Sequence, residues 1–141
     1  MTLTSKTVAP YTPLMGHFVV SAELTGPSGV AERVDLLVDT GATFLSVPAV
    51  IAERLALKPR RIVSIRVAGG RTERWPVADV RLRLDDDEVV TPCLIAPDGE
   101  PLLGAVALET LLLAVDPVAK RLVPTDGYAM PTGIETRLQT A

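Results

Sequence analysis

Two reactive residue types are nearly missing from this 141-residue chain, which has one cysteine and one histidine. A single cysteine excludes an internal disulfide framework. Zinc sites take three or four protein ligands, so Cys93 and His17 are too few to form one. The two could pair as nucleophile and base, but neither lies in a glycine-rich turn, so this arrangement is disfavoured. We expect Cys93 to be a small core residue and His17 to be structural or exposed.

Aromatic residues are also scarce, at 4% of the chain, whereas hydrophobic residues as a whole make up 48%. The core must therefore be built mainly from Val, Leu, Ile and Ala. The chain length suits a single domain, because typical domains contain roughly 100–150 residues.

Long charged runs and long apolar runs are missing as well. The net charge is −3 and no run of Lys and Arg occurs, which argues against a nucleic-acid surface, since such a surface needs a basic patch. The longest apolar stretch, 102–115, is interrupted by Glu109 and falls short of the roughly 18 residues that a membrane helix needs. The polar segment 1–13 has no apolar region typical of a signal peptide. We therefore expect a cytoplasmic protein that binds neither nucleic acid nor membranes.

The chain does contain a carboxylate at the end of an apolar run. Asp39-Thr40-Gly41-Ala42 follows 34–38 and precedes 43–47, and it occurs once. An acid behind a buried strand has to be paired, hydrogen-bonded or protonated, and the Thr hydroxyl and the backbone N–H groups around Gly41 can supply hydrogen bonds. Because Asp, Thr and Gly are also ordinary turn residues, a purely structural turn stays open on the motif alone.

Hydrophobic periodicity predicts about seven short strands and two short helices. Turns that recur every 8–12 residues favour an all-β fold, a small closed β-barrel. A domain over 14–124 would follow an N-terminal arm, 1–13, and precede a C-terminal tail, 125–141. The predicted strands are 14–24, 30–38, 44–47, 61–67, 72–84, 89–96 and 120–124. The predicted helices are 48–57 and 104–113.

Two further motifs follow the Asp-Thr-Gly turn in a specific order. Ala68-Gly69-Gly70-Arg71 forms a hairpin tip between two predicted strands, and Pro101-Leu102-Leu103-Gly104 opens the second helix. Over about residues 15–124 this order resembles the retropepsin-like aspartic proteases, especially their bacterial single-domain members. The resemblance implies a barrel of the retropepsin type that needs no metal and no cofactor.

The same resemblance assigns roles to individual residues. Asp39 would be the catalytic acid, supported by Thr40, Gly41 and Ala42. Leu103 and Gly104 would pack behind the turn and hold it in place. Ala68-Gly69-Gly70-Arg71 would be the tip of a flap that closes over a peptide substrate, with Trp75 at its base, where packing is its more common role.

The chemistry of peptide hydrolysis predicts two chains in the active enzyme. One group must take a proton from water while another gives a proton to the leaving nitrogen, and two adjacent carboxyl groups can share these tasks. Only Asp39 occurs in this setting, so a symmetric homodimer would supply the second copy. Aspartic endopeptidase is therefore the predicted function, and a catalytically silent binding or scaffolding protein on the same fold is the alternative.

Overall fold

The computed structural model describes residues 17–128. The predicted arm, 1–13, and the greater part of the predicted tail, 129–141, lie outside the described residues.

Within residues 17–128 the chain forms nine strands and two short helices. The strands are β1 (Phe18–Thr25), β2 (Ala31–Val38), β3 (Leu45–Pro48), β4 (Arg61–Arg66), β5 (Thr72–Leu84), β6 (Asp87–Ala96), β7 (Leu102–Leu103), β8 (Leu113–Asp116) and β9 (Arg121–Pro124). The helices are α1 (Ala49–Arg54) and α2 (Ala105–Thr110). The predicted all-β fold with short helices is confirmed.

Both helices are shorter than the sequence predicts. The second is expected to reach Leu113, but α2 ends at Thr110. Leu112 has a left-handed backbone with φ of +58°, which stops the helix. Leu113 consequently begins β8, which pairs with β9 in a separate two-stranded sheet.

The first helix differs from its predicted range, 48–57, at both ends. Pro48 is its extended N-cap residue, so α1 begins one residue later. The helix ends at Arg54, and Ala56 then has a left-handed backbone with φ of +53°. As in α2, this conformation prevents the helix from continuing.

Strands β1 to β7 form one sheet that closes on itself. Their order is β1-β2-β7-β3-β6-β5-β4, and β1 also pairs with β5. The closure is antiparallel and sets Leu24 opposite Leu82, and both of these side chains are fully buried. Six strands therefore make a closed ring, and β4 extends from it as the outer arm of a hairpin with β5.

The interior of the ring is aliphatic, as the scarcity of aromatic residues predicts. Along β5 the buried residues Val80, Leu82 and Leu84 alternate with the exposed Arg81 and Arg83, as predicted from the sequence. Full burial of a Leu or Val side chain contributes about 1.5–3 kcal/mol. The largest fully buried side chains are Leu24, Leu36, Leu45, Leu55, Leu82, Leu103, Val38, Val47, Val80, Thr91 and Cys93.

The two-residue strand β7 fixes the position of the end of β2 by pairing with it. It runs parallel to β2, pairing Val38 with Leu103, and antiparallel to β3 on its other side. Gly104 follows directly, and a Cβ at this position would lie 2.6 Å from the carbonyl oxygen of Phe44 and 2.7 Å from that of Ala42. Both are backbone atoms, so a side chain could be accommodated only if the 42–44 segment moved.

Gly104→Ala should therefore destabilise the fold strongly. We expect a loss of about 3 kcal/mol in the free energy of unfolding, at the upper end of the usual cost of overpacking, because the obstructing atoms belong to the backbone. Denaturant unfolding monitored by circular dichroism would measure it.

Gly29→Ala is the matched control for this substitution. A Cβ at Gly29 meets nothing within 4 Å, although φ is +92°, so only the backbone penalty of about 1–2 kcal/mol applies. Equal losses for the two variants would contradict the packing role of Gly104.

Candidate active site

Asp39 follows the last residue of β2, and the neighbouring strand fixes its backbone. Its N–H donates to the carbonyl oxygen of Leu103 at 3.0 Å, and the N–H of Leu37 donates to that of Pro101 at the same distance. Val38 is almost fully buried. The apolar run thus anchors the strand in the core, and the acid lies at the point where the chain leaves it.

The turn holds the Asp39 carboxylate through its own backbone. The N–H of Gly41 donates to Oδ1 at 2.9 Å, and the N–H of Ala42 donates to the Asp39 carbonyl oxygen at 3.1 Å. A Cβ at Gly41 would lie 3.2 Å from the same Oδ1, so a larger residue would crowd the carboxylate. Turns of this kind are what Asp and Gly favour locally.

The Asp39 carboxylate is not buried within a single chain. Its side chain is 28% exposed, and Thr40 and Gly41 are exposed beside it. The sequence suggested a buried acid because the preceding run is apolar, but burial ends at Val38. In one chain the turn therefore presents its carboxylate to the surface.

His17 lies beside this carboxylate, which the sequence did not predict. Its Nε2 is 3.5 Å from Asp39 Oδ1, an ion-pair contact when the ring is protonated. Its Nδ1 is buried and has no hydrogen-bond partner within residues 17–128. The β1–β2 register was the available signal: Phe18 pairs with Val38, so the preceding residue lies next to Asp39.

Leu103 and Gly104 lie directly behind the turn. Leu103 is fully buried. After Gly104, the first N–H groups of α2 bind the turn, with Ala105 donating to the carbonyl of Ala42 at 2.8 Å and Val106 to that of Thr43 at 2.9 Å. Helix N-terminal N–H groups lack partners within the helix, and here the turn supplies two of them.

The predicted flap is the exposed tip of the β4–β5 hairpin. Gly69 and Gly70 both have positive φ, +91° and +84°, and the N–H of Val67 donates to the carbonyl of Arg71 at 2.9 Å. Glycine adopts such backbone angles without strain, which explains why both tip positions are glycine.

A cavity of about 550 Å³ lies between the Asp39 turn and this hairpin. Residues 41–44 of the turn form one side, and residues 63–68 of the hairpin form another. Trp75, Leu94 and Leu102 add apolar surface. Of the predicted site residues, Gly41, Ala42 and Ala68 line this cavity. Asp39 and Thr40 lie next to it without lining it, and Gly69, Gly70 and Arg71 do not line it. Trp75 lines the cavity, in addition to donating its indole N–H to Glu73 at 3.0 Å.

The described residues do not support a cysteine nucleophile, a metal site or a membrane-spanning helix. Burial raises the pKa of the Cys93 thiol to about 12, so almost no nucleophilic thiolate forms near neutral pH. Within residues 17–128 no three His, Cys, Asp or Glu side chains come together in a way that could hold a metal ion. Over the same residues no helix has the length and apolar character needed to cross a membrane.

The fold is similar to that of a solved viral protease. The structure of EIAV protease complexed with the inhibitor HBY-793 superposes with a TM-score of 0.54, at 19% identity, over 67% of this chain and 88% of that one. The solution structure of simian foamy virus (mac) protease gives a TM-score of 0.48, at 21% identity, over 64% and 91%. At such identities the similarity to EIAV protease shows the fold alone.

Sequence comparison gives the family. No curated protein matches the chain significantly. The sequence profile described as "Aspartyl protease" matches residues 20–109, a segment that contains the Asp39 turn, the β4–β5 hairpin and Gly104. The match covers more than half of the chain, so this protein belongs to the aspartyl protease family.

Proposed function

We propose that this protein is an aspartic endopeptidase that hydrolyses peptide bonds with two Asp39 carboxylates, one from each chain of a homodimer. The observation that carries the proposal is the setting of Asp39. In a member of the aspartyl protease family, a backbone-held carboxylate at the end of a buried strand faces outwards beside an apolar cavity.

The chemistry requires two carboxyl groups in contact. Two carboxylates about 3 Å apart cannot both ionise easily, so the pair holds one proton. The ionised group removes a proton from water as it attacks the peptide carbonyl, and the protonated group supplies a proton to the reacting amide. The Gly41 N–H, 2.9 Å from Oδ1, would keep each carboxylate oriented, with His17 as its neighbour.

The exposure of the turn supports a dimer. Asp39-Thr40-Gly41 occurs once in the sequence, and its carboxylate is partly exposed in a single chain. A two-fold axis beside the turn would bring the two copies of Asp39 together, because a symmetric interface contacts itself. The exposed Thr40 hydroxyls would then hydrogen-bond across the axis.

An extended peptide is the substrate that the surroundings of Asp39 fit best. The outer strand β4 ends the sheet on that side within the described residues, and a free strand edge binds extended peptides through backbone hydrogen bonds. The cavity below it, about 550 Å³ with apolar walls, is large enough for a side chain of the substrate. The hairpin tip, Ala68-Gly69-Gly70-Arg71, would close over the bound peptide as a flap.

Asp39→Asn should abolish peptidase activity and leave the fold intact. Asn keeps the shape of the side chain but cannot hold the shared proton, so kcat should fall by about 100- to 10,000-fold, the usual contribution of acid–base catalysis. Cleavage of a peptide library by mass spectrometry and the melting temperature would be measured together. Undiminished cleavage by the purified variant would rule out Asp39 as the catalytic acid.

Mixing the Asp39→Asn variant with wild type tests whether the two chains share one site. After subunit exchange in equal amounts, a quarter of the dimers would be wild type, so activity should be about half that of the same wild-type amount alone. A second wild-type sample mixed with bovine serum albumin is the control for dilution. Activity unchanged by the added variant subunits would contradict a shared site.

A double substitution at the hairpin tip, Gly69→Asn with Gly70→Asn, tests the flap. Asn tolerates positive φ better than other non-glycine residues, and a Cβ at either position meets nothing within 4 Å. The strain of positive φ remains at both positions, but it is small for Asn, so the melting temperature should fall by only a few degrees. The added side chains should hinder closure over substrate and lower kcat/KM by about tenfold or more.

Gly29→Asn makes the same change at a turn remote from the cavity, where φ is +92°. It carries the same positive-φ strain as each tip substitution, so it should cost a similar small amount of stability and leave cleavage unchanged. If the tip variant also cleaved normally, the hairpin would be a structural turn and not a flap.

A further inference from the structure

The hairpin over the cavity has a charge opposite to that of the whole chain. Residues 60–75 contain five arginines and one glutamate, a formal net charge of +4, in a chain with a net charge of −3. A cleft lined by one sign of charge concentrates partners of the opposite sign. The charge of this hairpin therefore differs in sign from that of the chain as a whole, and the position of each arginine decides whether it acts on the cavity.

Only two of these arginines are neutralised by nearby acids in the described residues. Arg60 pairs with Asp79 at 3.1 Å, and Arg71 pairs with Glu73 at 2.8 Å. Hydrogen bonds from Arg71 and Trp75 lower the pKa of the Glu73 carboxyl group, so this acid is already engaged. Within residues 17–128, no carboxylate lies within 4 Å of the other three guanidinium groups, those of Arg61, Arg66 and Arg74.

The strand register places Arg61 on the cavity side of the hairpin. Arg61 pairs with Val77, and Val63 pairs with Trp75; Val77 is almost fully buried. Opposed residues share a face and alternate residues along a strand share a face, so these four residues point the same way. Arg74 pairs with Ser64 on the opposite face of the hairpin. Ser64 and Arg66 of that face reach the cavity lining, but Arg74 does not.

Among residues 17–128, the charged residues of the cavity lining are Arg61 and Arg66, and no Asp or Glu of that range is part of it. Apolar groups from Val63, Trp75 and Leu94 form another part of the cavity wall. An apolar wall lowers the local dielectric constant, which strengthens a hydrogen bond between a charged side chain of the cavity and a charged group of the ligand. A guanidinium binds a carboxylate through two parallel N–H donors.

We propose that this cavity selects peptides carrying an aspartate or glutamate, whose carboxylate pairs with Arg61 while its apolar stem contacts Trp75. The inference rests on the proposed function for the presence of a peptide in the cavity, and it adds the substrate class. Acidic peptide segments are then the preferred substrates.

Binding can be measured without turnover, which separates this inference from the proposed function. Trp75 is the only tryptophan of the chain and lines the cavity, so its fluorescence reports occupancy. The protein would carry Asp39→Asn to prevent cleavage. The probes are octapeptides of Ala, Val and Leu, acetylated at the N-terminus and amidated at the C-terminus. One series carries a single Glu at each position in turn, and two matched series carry Gln or Lys in place of that Glu.

At its best position the Glu peptide should bind about fivefold more tightly than the Gln peptide, the value of a partly exposed ion pair, and the Lys peptide more weakly than either. Arg61→Gln should reduce the Glu-to-Gln ratio to about one. Arg74→Gln, which removes the same charge from the other face of the hairpin, should keep the ratio. Melting temperatures of both variants would exclude a folding defect.

The outcomes separate the proposed selectivity from the proposed peptidase activity. A Glu-to-Gln ratio of one in the parent protein at every position, or an equal fall in the ratio for Arg61→Gln and Arg74→Gln, would overturn the selectivity. Active wild-type protein with either result would leave the peptidase proposal standing. A Glu preference that depends on Arg61, in a wild-type protein without cleavage, would support the acidic ligand class and contradict the peptidase.

Discussion

The close packing of backbone against backbone behind Asp39 is the constraint on which the candidate site depends. β7 contributes only two residues, yet it pairs with both β2 and β3 and receives the Asp39 N–H. Gly104 then brings the start of α2 against the carbonyls of the turn, where no side chain fits. Since these contacts are made by main-chain atoms, the position of the carboxylate is fixed by the fold and not by flexible side chains.

This scaffold holds the carboxylate firmly but leaves it partly open to solvent. An acid with a fixed backbone and an exposed side chain satisfies two demands of the proposed mechanism, precise position and access to a second copy. A fully buried carboxylate could not meet a partner, and one on a loose loop would lose the orientation on which acid–base chemistry depends. His17, 3.5 Å away, completes the surroundings of Asp39 in the single chain.

Charge is unevenly distributed along the chain. The chain is acidic overall, while the hairpin above the cavity is strongly basic. Two of the three arginines without an acidic neighbour in the described residues, Arg61 and Arg66, line the apolar cavity. Electrostatic complementarity is mainly a source of specificity, so the proposed role of Arg61 is to select among peptides.

The sequence by itself determined the fold class and most strands, because hydrophobic alternation and turn residues are local signals. The roles expected of Asp39, Leu103 and Gly104 came from the resemblance of their motifs to a known family. The sequence pattern misjudged where α2 ends, since the left-handed backbone of Leu112 leaves no local mark. Only the tertiary structure brought His17 to Asp39, placed Arg61 on the cavity side and showed that the carboxylate is partly exposed. These features depend on strand register and ring closure, which join residues distant in sequence and are set by packing of the whole sheet.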